Sequence, residues 1–327
     1  MALRKKLRCL FTLPLIIALL VPGISPAAEN SKPLKKMRVS YSMYIDDLPF
    51  YVAMEEGLWK KQGLDVELVR IESAKDSIPA AIRGDIQTGS INLTDTYLLA
   101  RKGLPIKIYA WFGRTHKGTR CGIHVDKNGP IYKIEDLAGK KITTSGSVTP
   151  DLMLKEALAQ HNMNTDDLKT LKGIQIDAAM QQEAALRSAG VDGTVTCDPV
   201  ATMLEMHGAS RRLASFNDII PDFVFSGIFF NTNYVKENPE EVRAFLRGIV
   251  EAFKYIKNNE EKARSWLPKY SGVDKNIAMN AAMREFSLDG KESEERLLKI
   301  RDLMIKYGYL DEKISLDRIV DYSYLPK

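Results

Sequence analysis

The sequence predicts an α/β protein of two lobes with mixed or largely parallel sheets, and three observations carry that expectation. Short apolar, β-rich segments alternate with helical ones along the chain. About 300 residues remain once an N-terminal leader is set aside, more than one hydrophobic core ordinarily serves. The segment from Pro49 to Val69 compresses a helix, a turn and a strand into one module, with glycines at Gly57 and Gly63.

The strand candidates, in order, are Met37–Ser42, Asp65–Arg70, Ile86–Ile91, Lys107–Phe112, Gly122–Val125, Lys141–Thr144, Gly193–Cys197 and Phe223–Phe230. In the second of these Leu64, Val66 and Leu68 face one way and Asp65 and Glu67 the other, the alternation of a half-buried strand. The helix Pro49–Glu56 opens on a proline suited to a first turn, and Gly57 suits its left-handed C-terminal cap. Further helices are expected from near Asp95 and over Asp151–Gln160. The longest is Pro239–Lys257, where Val242, Phe245, Leu246, Ile249, Phe253 and Ile256 recur at spacings of three and four. Asn238 is its expected N-cap, and Glu240 and Glu241 suit the positive end of the dipole. The aromatic members of that stripe are read as core.

Arg4, Lys5, Lys6 and Arg8 precede an apolar run from Leu10 to Val21 that is short for a membrane span and interrupted by proline. Residues 1–27 therefore read as a secretory signal peptide, cleaved near Ala27 or Ala28, and export to the periplasm is expected. The whole chain carries a formal charge of +5, but four of its 47 basic residues lie in that leader. The remainder holds 43 basic against 42 acidic residues and no basic block, which argues against nucleic-acid or anionic-membrane binding. Recognition of an anion has to be local.

A search for catalytic constellations yields none. His116, His124, His161 and His207 form no metal-ligand spacing, and each reads as a surface or interlobe residue. There is no Cys-x-x-Cys, nucleophile elbow, Walker or dinucleotide signature, so no enzyme, metal or cofactor is expected. The chain offers instead strand ends that run into helix N-termini, where backbone donors and the dipole favour an anion or a carbonyl oxygen. These are Tyr44, Asp46 and Asp47 before Pro49; Ser90, Asn92 and Thr94; and Ser145, Gly146, Ser147 and Thr149 before the helix at Pro150. Asp47, Thr94 and Thr149 can equally serve as helix caps. Trp111, with Phe112 and Arg114, suits an aromatic wall and a fixed charge; a packed tryptophan and an arginine paired with Asp198 or Asp222 is the other reading. Asp198 edges the far side of the expected cleft. With Asp46 and Asp47 it disfavours a purely anionic ligand and suits a molecule with both an acceptor and an amino or hydroxyl donor.

Beyond these local readings, the module Gly57–Val69, Ala81-Ile-Arg-Gly-Asp-Ile86, Asp136-Leu-Ala-Gly-Lys-Lys-Ile142, Gly146-Ser147 and Lys236-Glu-Asn-Pro-Glu-Glu-Val-Arg-Ala-Phe245 occur in an order that resembles one family. It is the substrate-binding proteins of bacterial ABC importers serving nitrate, sulfonates, taurine and thiamine-pyrimidine precursors. The loop Tyr44–Leu48 lacks the asparagine-rich signature associated with the pyrimidine-precursor binders. The resemblance implies a periplasmic binding protein type 2 architecture, two lobes with a hinge and an interlobe cleft. Lobe I would be discontinuous, residues 36–112 plus 226–327, and lobe II would be 113–225, with crossings near Trp111–Arg114 and Phe225–Gly227. It further implies a monomer that closes on a small-molecule solute and delivers it to an ABC permease and ATPase complex at the membrane. Nitrate, sulfonate, aromatic carboxylate and pyrimidine remain open as ligands. An enzyme on the same fold, acting on pyrimidine or quinone precursors, and a ligand-sensing partner of a membrane receptor are the alternatives. Cys121 and Cys197 both fall in lobe II, where an oxidising compartment permits a disulfide and two buried thiols are the other possibility.

Overall fold

The computed structural model describes residues 33–144, 147–169 and 179–327, and the body discussed below is Leu34–Lys327. The expected signal peptide and the loop residues Ser145 and Gly146 lie outside the described residues.

Eleven strands are described: β1 (Lys35–Tyr41), β2 (Leu64–Arg70), β3 (Thr88–Asn92), β4 (Ile106–Trp111), β5 (Gly113–Arg114), β6 (Gly122–Asp126), β7 (Ile142–Thr143), β8 (Gly193–Thr196), β9 (Ser210–Ser215), β10 (Ser226–Asn231) and β11 (Glu285–Phe286). A five-stranded sheet has the order β2-β1-β3-β10-β4, and a four-stranded sheet the order β7-β8-β6-β9. In the first, β1 runs parallel to β2 and β3, whereas β10 is antiparallel to both β3 and β4. In the second, β7 and β8 are parallel and β6 opposes β8 and β9. Both sheets are therefore mixed, and the chain passes between them after β4 and again before β10.

Each expected strand is present within a few residues. The candidate at Phe223–Phe230 contains only Ser226–Phe230 of β10, because Phe223 and Phe225 pack with Phe216 in an aromatic cluster ahead of the strand. Strand β9 was not expected: Arg211 and Arg212 stand at its middle and break the apolar alternation. In the structure Arg211 lies over the Tyr132 ring and Arg212 donates to the Thr119 carbonyl.

The module at Pro49–Val69 forms as its sequence suggests, with a helix at Leu48–Glu55, Gly57 at φ +63° and β2 beginning at Leu64. Between the glycines a further turn of helix, Leu58–Lys61, buries Trp59. Trp59 stacks on Phe245 at 4.9 Å and donates its indole N–H to the Phe245 carbonyl at 3.2 Å. Phe245 lies on the long helix Pro239–Asn258, where all six residues of the predicted stripe are buried. Burying each such side chain is worth about 1.5–3 kcal/mol, so this stripe anchors the helix on the five-stranded sheet. Asn238 is the N-cap of that helix, its carbonyl accepting from the Val242 amide, but its side chain makes no cap hydrogen bond and donates back to the Tyr234 carbonyl at 3.1 Å.

Alternation in the sheet feeds two cores. Val39, Tyr109, Ile228 and Phe230 join one apolar cluster, whereas Ile91, Ile108, Trp111 and Phe229 join the other. The four-stranded sheet contributes its apolar side chains, among them Ile123, Val125, Ile142 and Val195, to the second cluster.

Candidate functional site

Parallel strands carry ligands beyond their C-terminal ends, where loops lead into helix N-termini. Two such ends come from each sheet here. From the first, β1 leads through Ser42–Asp47 to the helix Leu48–Glu55, and β3 leads through Asn92 to the helix Leu93–Arg101. From the second, β7 leads to the helix Val148–Ala159, and β8 leads through Cys197 and Asp198 to the helix Val200–Met206.

The four ends converge. The Ile45 amide donates to the Asp198 carbonyl at 3.2 Å. Thr94 and Thr149, both fully buried, share a hydrogen bond of 2.8 Å between their hydroxyls, one helix N-terminus touching the other. The capping alternatives fail for all three residues proposed. Asp47 makes no cap hydrogen bond, and Thr94 and Thr149 lie in the first turns of helices whose N-caps are Asn92 and Ser147. The second of these helices begins at Val148, three residues ahead of its expected start, so Thr149 is drawn into its first turn.

Asp46 and Asp47 are buried side by side with different partners. Asp46 receives Arg284 in bidentate fashion, Nε at 3.0 Å and Nη2 at 2.9 Å, and a third bond from Ser226 Oγ at 3.1 Å. Asp47 Oδ2 accepts from the amide and hydroxyl of Ser42 at 2.6 and 2.9 Å. Burial pushes the Asp47 carboxyl up to about 7, against hydrogen bonds from Ser42 and Ser90 that favour its ionised form. Asp198, fully buried, receives the Thr202 hydroxyl on Oδ1 at 2.5 Å. Burial raises its pKa as well, opposed by Thr202, Arg284, the Ala282 amide and Arg120.

Cys121 and Cys197 form a disulfide that ties the start of β6 to the end of β8. Arg284 Nη2 lies 3.0 Å from Cys121 Sγ, and its guanidinium sits over the Phe225 ring at 5.0 Å. One side chain thus joins the loop after β1, the disulfide of the other sheet and the segment before β10. Arg284 is 4% exposed and was missed by sequence reasoning: it stands in Met283-Arg-Glu-Phe286, without a motif and 238 positions from Asp46.

The other expected residues fall as follows. Ser90, at the middle of β3, faces Asp47, and Asn92, at its end, pairs with Ser226 across β3 and β10. Tyr44 is half-buried against both cores. Trp111 and Arg114 stand apart from this group. Trp111 is fully buried in the second core and donates its indole N–H to the Tyr322 hydroxyl at 2.8 Å. Phe112 packs on Phe50 at 5.3 Å. Arg114 pairs with Glu285 and with Glu292 at 3.7 Å, not with Asp198 or Asp222. An aromatic wall at this crossing is therefore not what the structure forms: alternation along β4 turns Trp111 into the core. His124 is also buried, between the Arg120 carbonyl at 2.8 Å and Ser210 at 3.3 Å, and burial lowers its pKa to about 4. Among the described residues no three His, Cys, Asp or Glu side chains are placed to hold a metal ion, and no helix is long and apolar enough to cross a membrane.

Two mixed α/β sheets whose strand ends meet across a cleft are the architecture of the periplasmic-binding-protein fold. The Escherichia coli periplasmic aliphatic sulphonate binding protein SsuA has it, with a TM-score of 0.70 at 18% identity over 87% of this chain and 91% of that one. The chain belongs to the NMT1/THI5 like family, which matches residues 45–263. A protein of Brucella abortus provisionally named a binding protein is 27% identical over 243 residues, 74% of this chain and 73% of its own. The family also reaches enzymes. The 4-amino-5-hydroxymethyl-2-methylpyrimidine phosphate synthase THI11 of Saccharomyces cerevisiae is 21% identical over 221 residues, 64% of this chain and 63% of its own.

Proposed function

We propose that this chain is the exported solute-binding component of an ABC importer. It captures a small organic or oxyanionic solute between two lobes and delivers it to an ABC permease and ATPase complex at the membrane. In this reading lobe I is 36–112 plus 226–327 and lobe II is 113–225, and the protein works as a monomer in the periplasm after loss of its leader. The observation that supports it most directly is the meeting of helix N-termini from different sheets at Thr94 and Thr149, with Asp198 reaching the loop after β1. In this reading that contact forms when the lobes shut, so a solute held there favours the shut form.

The site residues in this reading are Tyr44, Asp46, Asp47, Ser90, Asn92, Thr94, Ser147, Thr149 and Asp198. Trp111 and Arg114 contribute to the crossing between the lobes, and Ser145 and Gly146 complete the second-lobe loop. Native mass spectrometry of the purified mature protein identifies the solute that accompanies it. That solute, at a thousandfold excess over its dissociation constant, should stabilise the native state by about 4 kcal/mol and reduce the radius of gyration in small-angle scattering. A tight ligand that changes neither quantity refutes closure. The likeness to the yeast synthase favours one second reading, an enzyme on this fold, and chemical turnover of the accompanying solute would decide for it.

A further inference from the structure

Four buried polar atoms of this neighbourhood have no partner in hydrogen-bonding geometry among the described residues: Asp47 Oδ1, Asp198 Oδ2, Arg284 Nη1 and Thr196 Oγ1. Buried polar atoms are otherwise almost always paired, and each exception asks for a cause. These four share one place. Asp47 follows Asp46, which holds Arg284; Thr196 and Asp198 flank Cys197, whose disulfide lies against the same guanidinium. Three of them thus belong to or adjoin a knot formed by Asp46, Arg284 and the disulfide, where the loop after β1 meets the end of β8, and Thr196 stands one residue before that disulfide.

The charges there are unequal. Asp46, Asp47 and Asp198 are buried carboxylates, whereas Arg284 is the one cation buried to the same degree, and Asp46 already occupies two of its nitrogens. Arg120 donates to Thr202 and its charge favours an ionised Asp198, but its side chain remains 31% exposed. A bare oxyanion such as nitrate or sulfate brings acceptors alone and sets its charge beside Asp46 and two carboxyls, Asp47 and Asp198, whose ionised forms burial already disfavours. A head group rich in N–H donors does the reverse, giving the free carboxylate oxygens the partners they lack.

We propose that the solute of this site is organic and bifunctional: a nitrogen head, amine or amidine in type, donates to Asp47 Oδ1 and Asp198 Oδ2, and an acceptor group takes the free Nη1 of Arg284. Arg284 is then a specificity-determining residue of the cleft. Thr196 Oγ1, which can donate or accept, adapts to either end. This rests on the solute-binding reading above and narrows it, because it separates the ligand from the bare oxyanions.

The test uses the mature protein, dialysed extensively, and matched solutes differing by one nitrogen head: β-alanine against propionate, 2-aminoethanesulfonate against ethanesulfonate, and 4-aminopyrimidine against pyrimidine. Nitrate and sulfate complete the panel, read by thermal shift and titration calorimetry. The proposal expects binding by at least one nitrogen-bearing member, with its partner weaker by roughly tenfold or more, the loss of one charge-assisted hydrogen bond. Asp198→Asn and Asp47→Asn, each first shown to fold by a cooperative ligand-free melting transition, should each weaken that solute by a similar factor. Binding of nitrate, sulfate or a donor-free partner as tight as that of the nitrogen-bearing member overturns the proposal, as does unchanged affinity in both variants. If no probe binds, the accompanying solute decides by its composition: one without N–H donors overturns the proposal, one with them supports it. Absence of any bound solute, with no response across the whole panel, overturns the proposal and the solute-binding reading together.

Discussion

The hydroxyl bond between Thr94 and Thr149 makes the cleft testable at single-bond resolution. Both side chains are fully buried, and their oxygens are 2.8 Å apart. Thr94→Val or Thr149→Val keeps the shape and removes one partner, which leaves the other hydroxyl buried and unpaired at a cost of about 1–3 kcal/mol. The double variant removes both hydroxyls. It loses only the net worth of one neutral bond, about 0.5–1.5 kcal/mol, and strands nothing. The two substitutions should thus be strongly non-additive, with a coupling of about 1 kcal/mol or more. If the contact forms on closure, the cost falls on the liganded state, because in the open form each hydroxyl reaches water. Calorimetric titration of the solute that accompanies the protein should therefore show each single variant weakened by roughly fivefold or more. The double variant should be less impaired than the sum of the two, and all ligand-free melting temperatures should agree closely. Strictly additive losses, or single variants that lower the ligand-free melting temperature while leaving affinity untouched, would refute the assignment of this bond to closure.

Two further outcomes follow from the same neighbourhood. Thiol counting on the mature chain under denaturing, non-reducing conditions should find no free thiol, and Cys121→Ala/Cys197→Ala should lower stability by about 4 kcal/mol for a bridge closing 76 positions; two free thiols exclude the bridge. Asp47 sets a pH dependence: its carboxyl, raised by burial from 3.8 to about 7, faces Ser42, Ser90, the Tyr51 hydroxyl and Asp46, which Arg284 pairs. Between about pH 4 and 7 the folded state holds a proton that the unfolded state has released, so this group makes stability fall as pH rises, by at most about 4 kcal/mol. Urea titrations across that range should show the decline in the wild type and a shallower one in Asp47→Asn, and identical slopes would refute the assignment.

Most of the sheet framework was legible because β-strands announce themselves by alternation, and six residues at helical spacing placed the long helix. What the pattern could not show was partnership at a distance. The convergence of Asp46, Thr94, Thr149 and Asp198 follows from strand ends and was foreseeable as a set. Arg284 was not, since nothing local marks an arginine as the partner of a carboxylate more than two hundred positions away. Trp111 stayed between two readings for a related reason: its place near a crossing suited a ligand wall as well as a packed ring, and the side a strand residue faces is set by parity within its sheet. Strand β9 escaped because its arginines find a carbonyl and an aromatic face to lie on, contacts that composition alone cannot reveal.

Strand β11 begins one residue after Arg284 and pairs with β5, directly after β4 where the chain leaves the five-stranded sheet. The approach is close: a Cβ on Gly113 would stand 2.1 Å from the Glu285 carbonyl oxygen, so the two backbones lie flush. The residue whose guanidinium touches Asp46 and the disulfide therefore sits one step from a backbone pair with no room for a side chain at position 113. Any residue larger than glycine at 113 would push β11 aside and carry Arg284 with it, away from Asp46 and the disulfide.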